Sequence, residues 1–413
     1  MIRTGTLLLA LLCAPLFKAQ AAEEIPRQLI TDYWLAESEQ QQQQLGEALK
    51  ERAGDAATLY RWFGLGPEFS ASVATGIVEK ERLSAEGISY PYVILVPESY
   101  DASRAYPVDF MLHGGVGRPK PAAGDSYWRS GYESLQTEDR LVVVPVAWNE
   151  AFWWHERQAE NLTEILREVR RLYNVDDNRV SLTGVSDGGT GAWFFAFKQP
   201  TEWAAFFAYI GHPGVLRSPQ SGGGYRLYFE NLMGKAIYIV NGEEDPLYPA
   251  ASLASFIEIL EQEDVNHQFR VIEGGGHNTQ WLAEEQPAIE AFKSANPREP
   301  FPAEVQWVSD SAERFNRNHW IRIDELQEEG RPSLLRVSQD DNVFNVTAYG
   351  VEQFTLLLSP RQVNLSDPVM VSVNGRIVFT GSARPDMDVV LQSAKERDRA
   401  LLYSSELQID VAN

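Results

Sequence analysis

Between Thr75 and Ala295, short apolar stretches rich in β-branched residues recur along the chain. They run Tyr92–Val96, Val108–Leu112, Leu141–Val146, Val180–Thr183, Phe206–Ile210, Ile237–Val240 and Phe269–Ile272. Helix-like segments lie between several of them. In Asn161–Tyr173, for example, Leu162, Ile165, Leu166, Val169 and Leu172 fall at helical spacing, and Ala250–Gln262 is a second such segment. Strands apolar on both faces and separated by helices predict a mostly parallel sheet covered on both sides. No other feature limits the possible folds so tightly.

The flanks have a different texture. From Ile25 to about Phe69 the pattern is helical and polar, with a glutamine run at Gln40–Gln44 that reads as a solvated face, while Gly46 and Gly54 weaken the helix in its middle. Beyond Asn296-Pro297 the chain breaks into seven short strand-like runs from Val305 to Phe379. One pair flanks Asn374-Gly375, a strong hairpin signal. The expected organisation is residues 1–21 as a leader, 22–74 as a helical segment, 75–297 as an α/β domain and 298–413 as a small β-rich domain.

The leader rests on Arg3, an 11-residue apolar run from Leu7 to Phe17, and the small-x-small site Ala19-Gln20-Ala21. The run is shorter than the ~20 residues of a membrane-spanning helix. Leu12 is too large for a lipid-attachment site at Cys13. Cleavage after Ala21 removes the chain's one cysteine and two basic residues, taking the formal charge from −22 to −24. The expectation is an exported, secreted or periplasmic protein without a membrane span. Its acidity, with a sequence pI of 4.7, argues against nucleic acid as a partner.

The chemistry concentrates in Gly184-Val185-Ser186-Asp187-Gly188. This G-x-S-x-G follows a predicted strand and precedes a helix-like run, Ala192–Phe197, the setting of a nucleophile elbow. A serine needs a base, and the chain holds six histidines. His277 stands in a glycine-rich loop just past the strand Phe269–Ile272, whereas His267 precedes that strand and His319 lies in the β-rich part. An acid is expected in the loop after Ile237–Val240, where Glu243, Glu244 and Asp245 compete. Asp245, beside Pro246, is favoured. Two backbone donors would form an oxyanion hole: Asp187, directly after the serine, and Gly115 in Leu112-His113-Gly114-Gly115. His113 is read as ordering that loop or lining the pocket. The aromatic residues Trp128, Phe152 and Trp193, and above all Trp148, Trp153 and Trp154, are candidates for a substrate-stacking surface, and His212 for the pocket wall. No metal or organic cofactor is expected, since no H-E-x-x-H, P-loop or dinucleotide motif occurs.

These residues carry a resemblance. Tyr90–Pro97, Tyr106-Pro107 leading into His113-Gly114-Gly115, and Asn178-Arg179-Val180 leading into Ser186-Asp187-Gly188-Gly189 resemble the α/β-hydrolase superfamily in its secreted esterase branch. That branch includes polyhydroxyalkanoate depolymerases and feruloyl and acetyl-xylan esterases. The resemblance covers a little over half the chain and implies a triad of Ser186, Asp245 and His277 acting on small-molecule or polymer-linked esters. Prolyl oligopeptidase-type peptidases are similar too, but only about 50 residues lie between the expected leader and the domain, too few for their propeller. A non-catalytic binding protein on the same scaffold is the third reading. The β-rich segment is foreign to the minimal esterase.

Overall fold

The computed structural model describes residues 27–122 and 124–411. The expected leader, residues 1–21, lies outside them. A helical stretch at 27–35 is followed by α1 (Glu39–Ala53) and α2 (Ala56–Leu65). Ser38 and Asp55 cap these two helices by accepting the backbone N–H groups of Gln41 and Thr58. Gly46 does not interrupt α1; it sits mid-helix where α1 presses on Leu391.

The central body holds β1 (Gly76–Leu83), β2 (Ser89–Val96), β3 (Tyr106–Leu112), β4 (Leu141–Pro145), α3 (Glu156–Leu172), β5 (Val175–Val185) and α4 (Asp187–Lys198). It continues through β6 (Ala205–Tyr209), β7 (Ala236–Gly242), α5 (Ala254–Gln262), β8 (Asn266–Ile272) and α6 (Leu282–Ala295). The eight strands form one sheet in the order β1-β2-β4-β3-β5-β6-β7-β8. Pairing is antiparallel at β1–β2 and β2–β4 and parallel from β4 through β3 to β8. Every residue of β4, β6 and β7 is buried, which is why these strands read as unbroken apolar runs. The edge strand β1 instead alternates half-buried with exposed positions and carries four charged residues in a row, Glu79 to Arg82, so its signal in the sequence is correspondingly faint.

After Ala295 come β9 (Glu304–Ser309), β10 (Arg317–Asn318), β11 (Ile321–Leu326), β12 (Ser333–Asp340), β13 (Val343–Tyr349), β14 (Val351–Leu358), β15 (Val369–Val373), β16 (Arg376–Gly381), α7 (Met387–Ala394) and β17 (Ser405–Asp410). They make a four-stranded sheet, β10-β11-β14-β17, and a five-stranded sheet, β16-β15-β13-β12-β9. Trp307 and Phe344 from one sheet and Phe354 and Ile409 from the other share a single core, a sandwich arrangement.

The N-terminal helices meet the segment around α7. Tyr33, Trp34, Leu49 and Phe63 pack with Val390, Ala394 and Leu402 in one cluster. The indole of Trp34 donates to the carbonyl of Arg170 in α3 (3.0 Å). Below it, Arg170 bridges Asp177 (2.7 Å) and Asp398 (2.9 Å), and Asp398 also binds Arg298 (2.7 Å). All four side chains are buried, so each charge depends on the others. Among the described residues no helix is long and apolar enough to cross a membrane.

Candidate active site

β5 ends at Val185, and α4 begins at Asp187, leaving Ser186 alone in the turn with φ 57° and ψ −117°. A side chain at positive φ costs on the order of 1–3 kcal/mol and persists only where its surroundings enforce it. Here the enforcement is close packing. A Cβ on Gly184 would overlap the carbonyl oxygen of Gly188, and one on Gly188 would overlap that of Leu112. The two glycines of the motif thus let strand, turn and helix approach more closely than any side chain permits.

The Oγ of Ser186 lies 2.9 Å from His277 Nε2, and His277 Nδ1 lies 2.7 Å from Asp245 Oδ2. With a carboxylate facing Nδ1, that nitrogen carries the proton and Nε2 is left as the acceptor for the serine hydroxyl. The three residues come from the carboxyl ends of β5, β7 and β8, where adjacent parallel strands deliver their loops to one edge of the sheet. The acid and base loops are tied directly: the N–H groups of Glu243 and Glu244 donate to the carbonyls of Ile272 and Gly275 (2.9 Å each).

Of the three competing carboxylates, Asp245 is the one turned to His277. Glu243 instead accepts the N–H of Gly274 (2.9 Å) and is exposed, as is Glu244. Burial works to raise the Asp245 pKa, but the N–H groups of Tyr248 and Leu247 and the His277 hydrogen bond outweigh it and hold the carboxyl below its ordinary value. Asp245 is therefore ionised beside the imidazole.

The Gly114-Gly115 loop runs against the serine, so closely that a Cβ on Gly114 would stand 2.9 Å from the Ser186 Cβ. Its position is fixed by a contact the sequence did not suggest. The Asp187 carboxylate accepts the N–H of Val116 (3.0 Å), pinning the loop to the first turn of α4. Gly115, at φ 69°, is thereby held beside the first turn of α4, whose N–H groups lack intrahelical partners.

The aromatic residues read as a stacking surface lie elsewhere. Trp148, Trp153 and Trp154 are each at most 2% exposed. The indole of Trp153 donates to the carbonyl of His113 (2.9 Å), that of Trp154 to Ser221 (2.9 Å), and Trp148 packs on Tyr90 at 5.1 Å. These tryptophans are packed into the core, and their faces are covered. Trp128 and Trp193 are buried as well, and Phe152 packs half-buried against the core. His113 is likewise buried rather than open to substrate. Its Nε2 accepts the N–H of Ala147 (3.1 Å), and burial lowers its pKa to about 4, so it serves the loop as a neutral acceptor.

His212 is half-buried. Its Nδ1 accepts the N–H of Gly214, and its ring lies 5.8 Å from Tyr248, whose own ring lies 5.9 Å from His277. Tyr248, which carries no signal in the sequence, thus packs between His212 and His277. No group of histidines, cysteines or acids among the described residues could hold a metal ion.

The family model described as the dienelactone hydrolase family matches residues 75–299. No curated protein matches the chain. Among solved structures, a thermostable esterase is similar at 22% identity and a TM-score of 0.43, covering 54% of this chain and 63% of its own, a little under two thirds. An S-formylglutathione hydrolase from Staphylococcus aureus is similar at 16% identity and a TM-score of 0.42 (55% and 99% of the two chains). A ferulic acid esterase gives 18% and 0.42 (53% and 97%).

Proposed function

The chain belongs to the dienelactone hydrolase family of the α/β-hydrolase superfamily and is a hydrolase, and from that premise we propose that it is an exported serine hydrolase of carboxylic esters. The observation that carries the proposal is the continuous relay from Ser186 Oγ through His277 to Asp245, at 2.9 and 2.7 Å.

In the proposed reaction Ser186 attacks the ester carbonyl as His277 Nε2 takes its proton. The negative charge that develops on the carbonyl oxygen rests on the backbone N–H groups of Gly115 and Asp187. Asp245 keeps the imidazole in the tautomer that can accept and stabilises the imidazolium that results. His277 then returns the proton to the leaving alcohol, and the acyl group remains on Ser186. A water activated by the same histidine releases the acid. The substrate is a small-molecule or polymer-linked ester, and the leader at residues 1–21 supports export to the periplasm or beyond.

The deciding experiment sets the purified protein against p-nitrophenyl esters, feruloylated sugars, polyhydroxybutyrate and peptide amides, beside Ser186→Ala. Ester cleavage that the alanine variant loses is expected. Cleavage of amides alone, or equal activity in the variant, overturns the reading.

A further inference from the structure

A cavity of about 590 Å³ lies between α3, the end of α4 and the C-terminal sheets, and neither Ser186 nor His277 lines it. That volume is typical of small-ligand sites. Most charges on its wall are neutralised in place: Arg314 by Glu156, Arg167 by Glu396 and Arg322 by Asp324.

Two cations on the wall have no carboxylate in direct contact among the described residues; Asp310 lies in the neighbourhood of Lys198, and Glu202 and Glu396 in that of Arg317. Lys198, the last residue of α4, is 5% exposed. Its ammonium faces aromatic rings, 4.8 Å from the centre of Tyr228 and 5.7 Å from that of Tyr225. Among the described residues Arg317 donates its Nε to the carbonyl of His319 (3.1 Å), and its guanidinium carbon stands 5.4 Å from the Tyr403 ring, with the Tyr403 hydroxyl beside it. The remaining acid deep in the cavity is Glu202. Burial, and then the nearby charge of Glu396, raises its pKa, which favours the neutral form. Apolar side chains, Phe315, Leu357 and Leu401, complete the wall.

Sequestered cations that lack a directly hydrogen-bonded carboxylate leave donors unmet, and an anion entering the cavity supplies them. A guanidinium with a free edge suits a carboxylate in particular. We propose that this cavity binds a small organic carboxylate, its charged end held by Arg317 and Lys198 and its apolar body set against Phe315, Leu357 and Leu401. Bound there, it would bridge the α/β body and the β-sandwich. This site is independent of the esterase reading.

The test is calorimetric titration of the full-length protein with benzoate at low ionic strength, with inorganic phosphate in parallel and hydrogen exchange read on the wild type. Saturable binding of one benzoate per chain is expected, with protection gained at residues 198–202 and 313–317. Lys198→Met and Arg317→Met should each weaken it tenfold or more without changing the circular dichroism spectrum, and Ser186→Ala should bind as the wild type does. The proposal is overturned by an absence of saturable heat, by binding of phosphate in place of benzoate, or by protection gained elsewhere. Loss of binding in Ser186→Ala overturns it as well. Should a variant fail to fold, the exchange pattern of the wild type decides alone.

Discussion

Asp245 and His277 are joined through Oδ2 and Nδ1 at 2.7 Å, while the other carboxylate oxygen of Asp245 accepts the N–H groups of Leu247 (2.8 Å) and Tyr248 (3.0 Å). One oxygen fixes the loop and the other fixes the imidazole. Asp245→Asn preserves the shape but presents an amide that can donate to Nδ1, which favours the wrong tautomer. In steady-state assays kcat should fall by about 10³–10⁴-fold, with the fold intact by circular dichroism.

The turn at Ser186 separates strain from chemistry. Glycine adopts φ 57° without penalty, whereas alanine retains the strain of the serine. Ser186→Gly and Ser186→Ala should be equally inactive. Denaturant unfolding should nevertheless find the glycine variant more stable than the alanine variant, by about 1 kcal/mol.

Gly188→Ala tests the packing of the elbow. The added methyl would collide with the backbone carbonyl of Leu112, which cannot rotate away as a side chain could. We expect a loss of about 1–3 kcal/mol or more in chemical denaturation. Activity should fall too, because Leu112 leads directly into the Gly114-Gly115 loop.

The buried charge cluster at the junction of α3 and the C-terminal segment makes a pH prediction. Burial alone would raise the Asp398 pKa, but Arg298 and Arg170 outweigh it and hold the carboxyl below its ordinary 3.8. A carboxyl depressed in the folded state adds stability that is fully present above its unfolded pKa and is lost as the pH falls through the folded value. Wild-type stability should therefore decline from about pH 4 downward in a component that Asp398→Asn lacks. At neutral pH the asparagine variant, leaving two buried guanidinium groups short of a partner, should lose about 3–5 kcal/mol. Melting curves from pH 7 to 2 check both.

The parallel strands were legible because burial on both faces forces unbroken apolar runs, as in Leu141–Pro145 and Ala205–Tyr209. The hairpin at Asn374-Gly375 was legible because its turn demands those residues, and Asn374 stands at φ 50°. Elements whose residues answer mainly to solvent were not. The edge strand Gly76–Leu83 carries Glu79, Lys80, Glu81 and Arg82, and Leu282–Ala295 is a helix despite Pro287 inside it. Met387–Ala394 was hidden because its apolar face is completed by residues more than 300 positions earlier, Tyr33 and Leu49 among them.

The same division holds at the site. The sequence by itself determined which turn would carry the serine, since only glycines at 184 and 188 permit that approach of backbones, and it ordered acid and base along the chain. Tertiary structure alone decided that Glu243 turns to Gly274 and away from His277, that Asp187 pins the Gly115 loop, and that Tyr248 borders the base while Trp148, Trp153 and Trp154 are buried. The reason is physical. Backbone strain and apolar burial leave local marks in residue type, whereas the direction of a side chain depends on loops that meet only after the sheet has assembled.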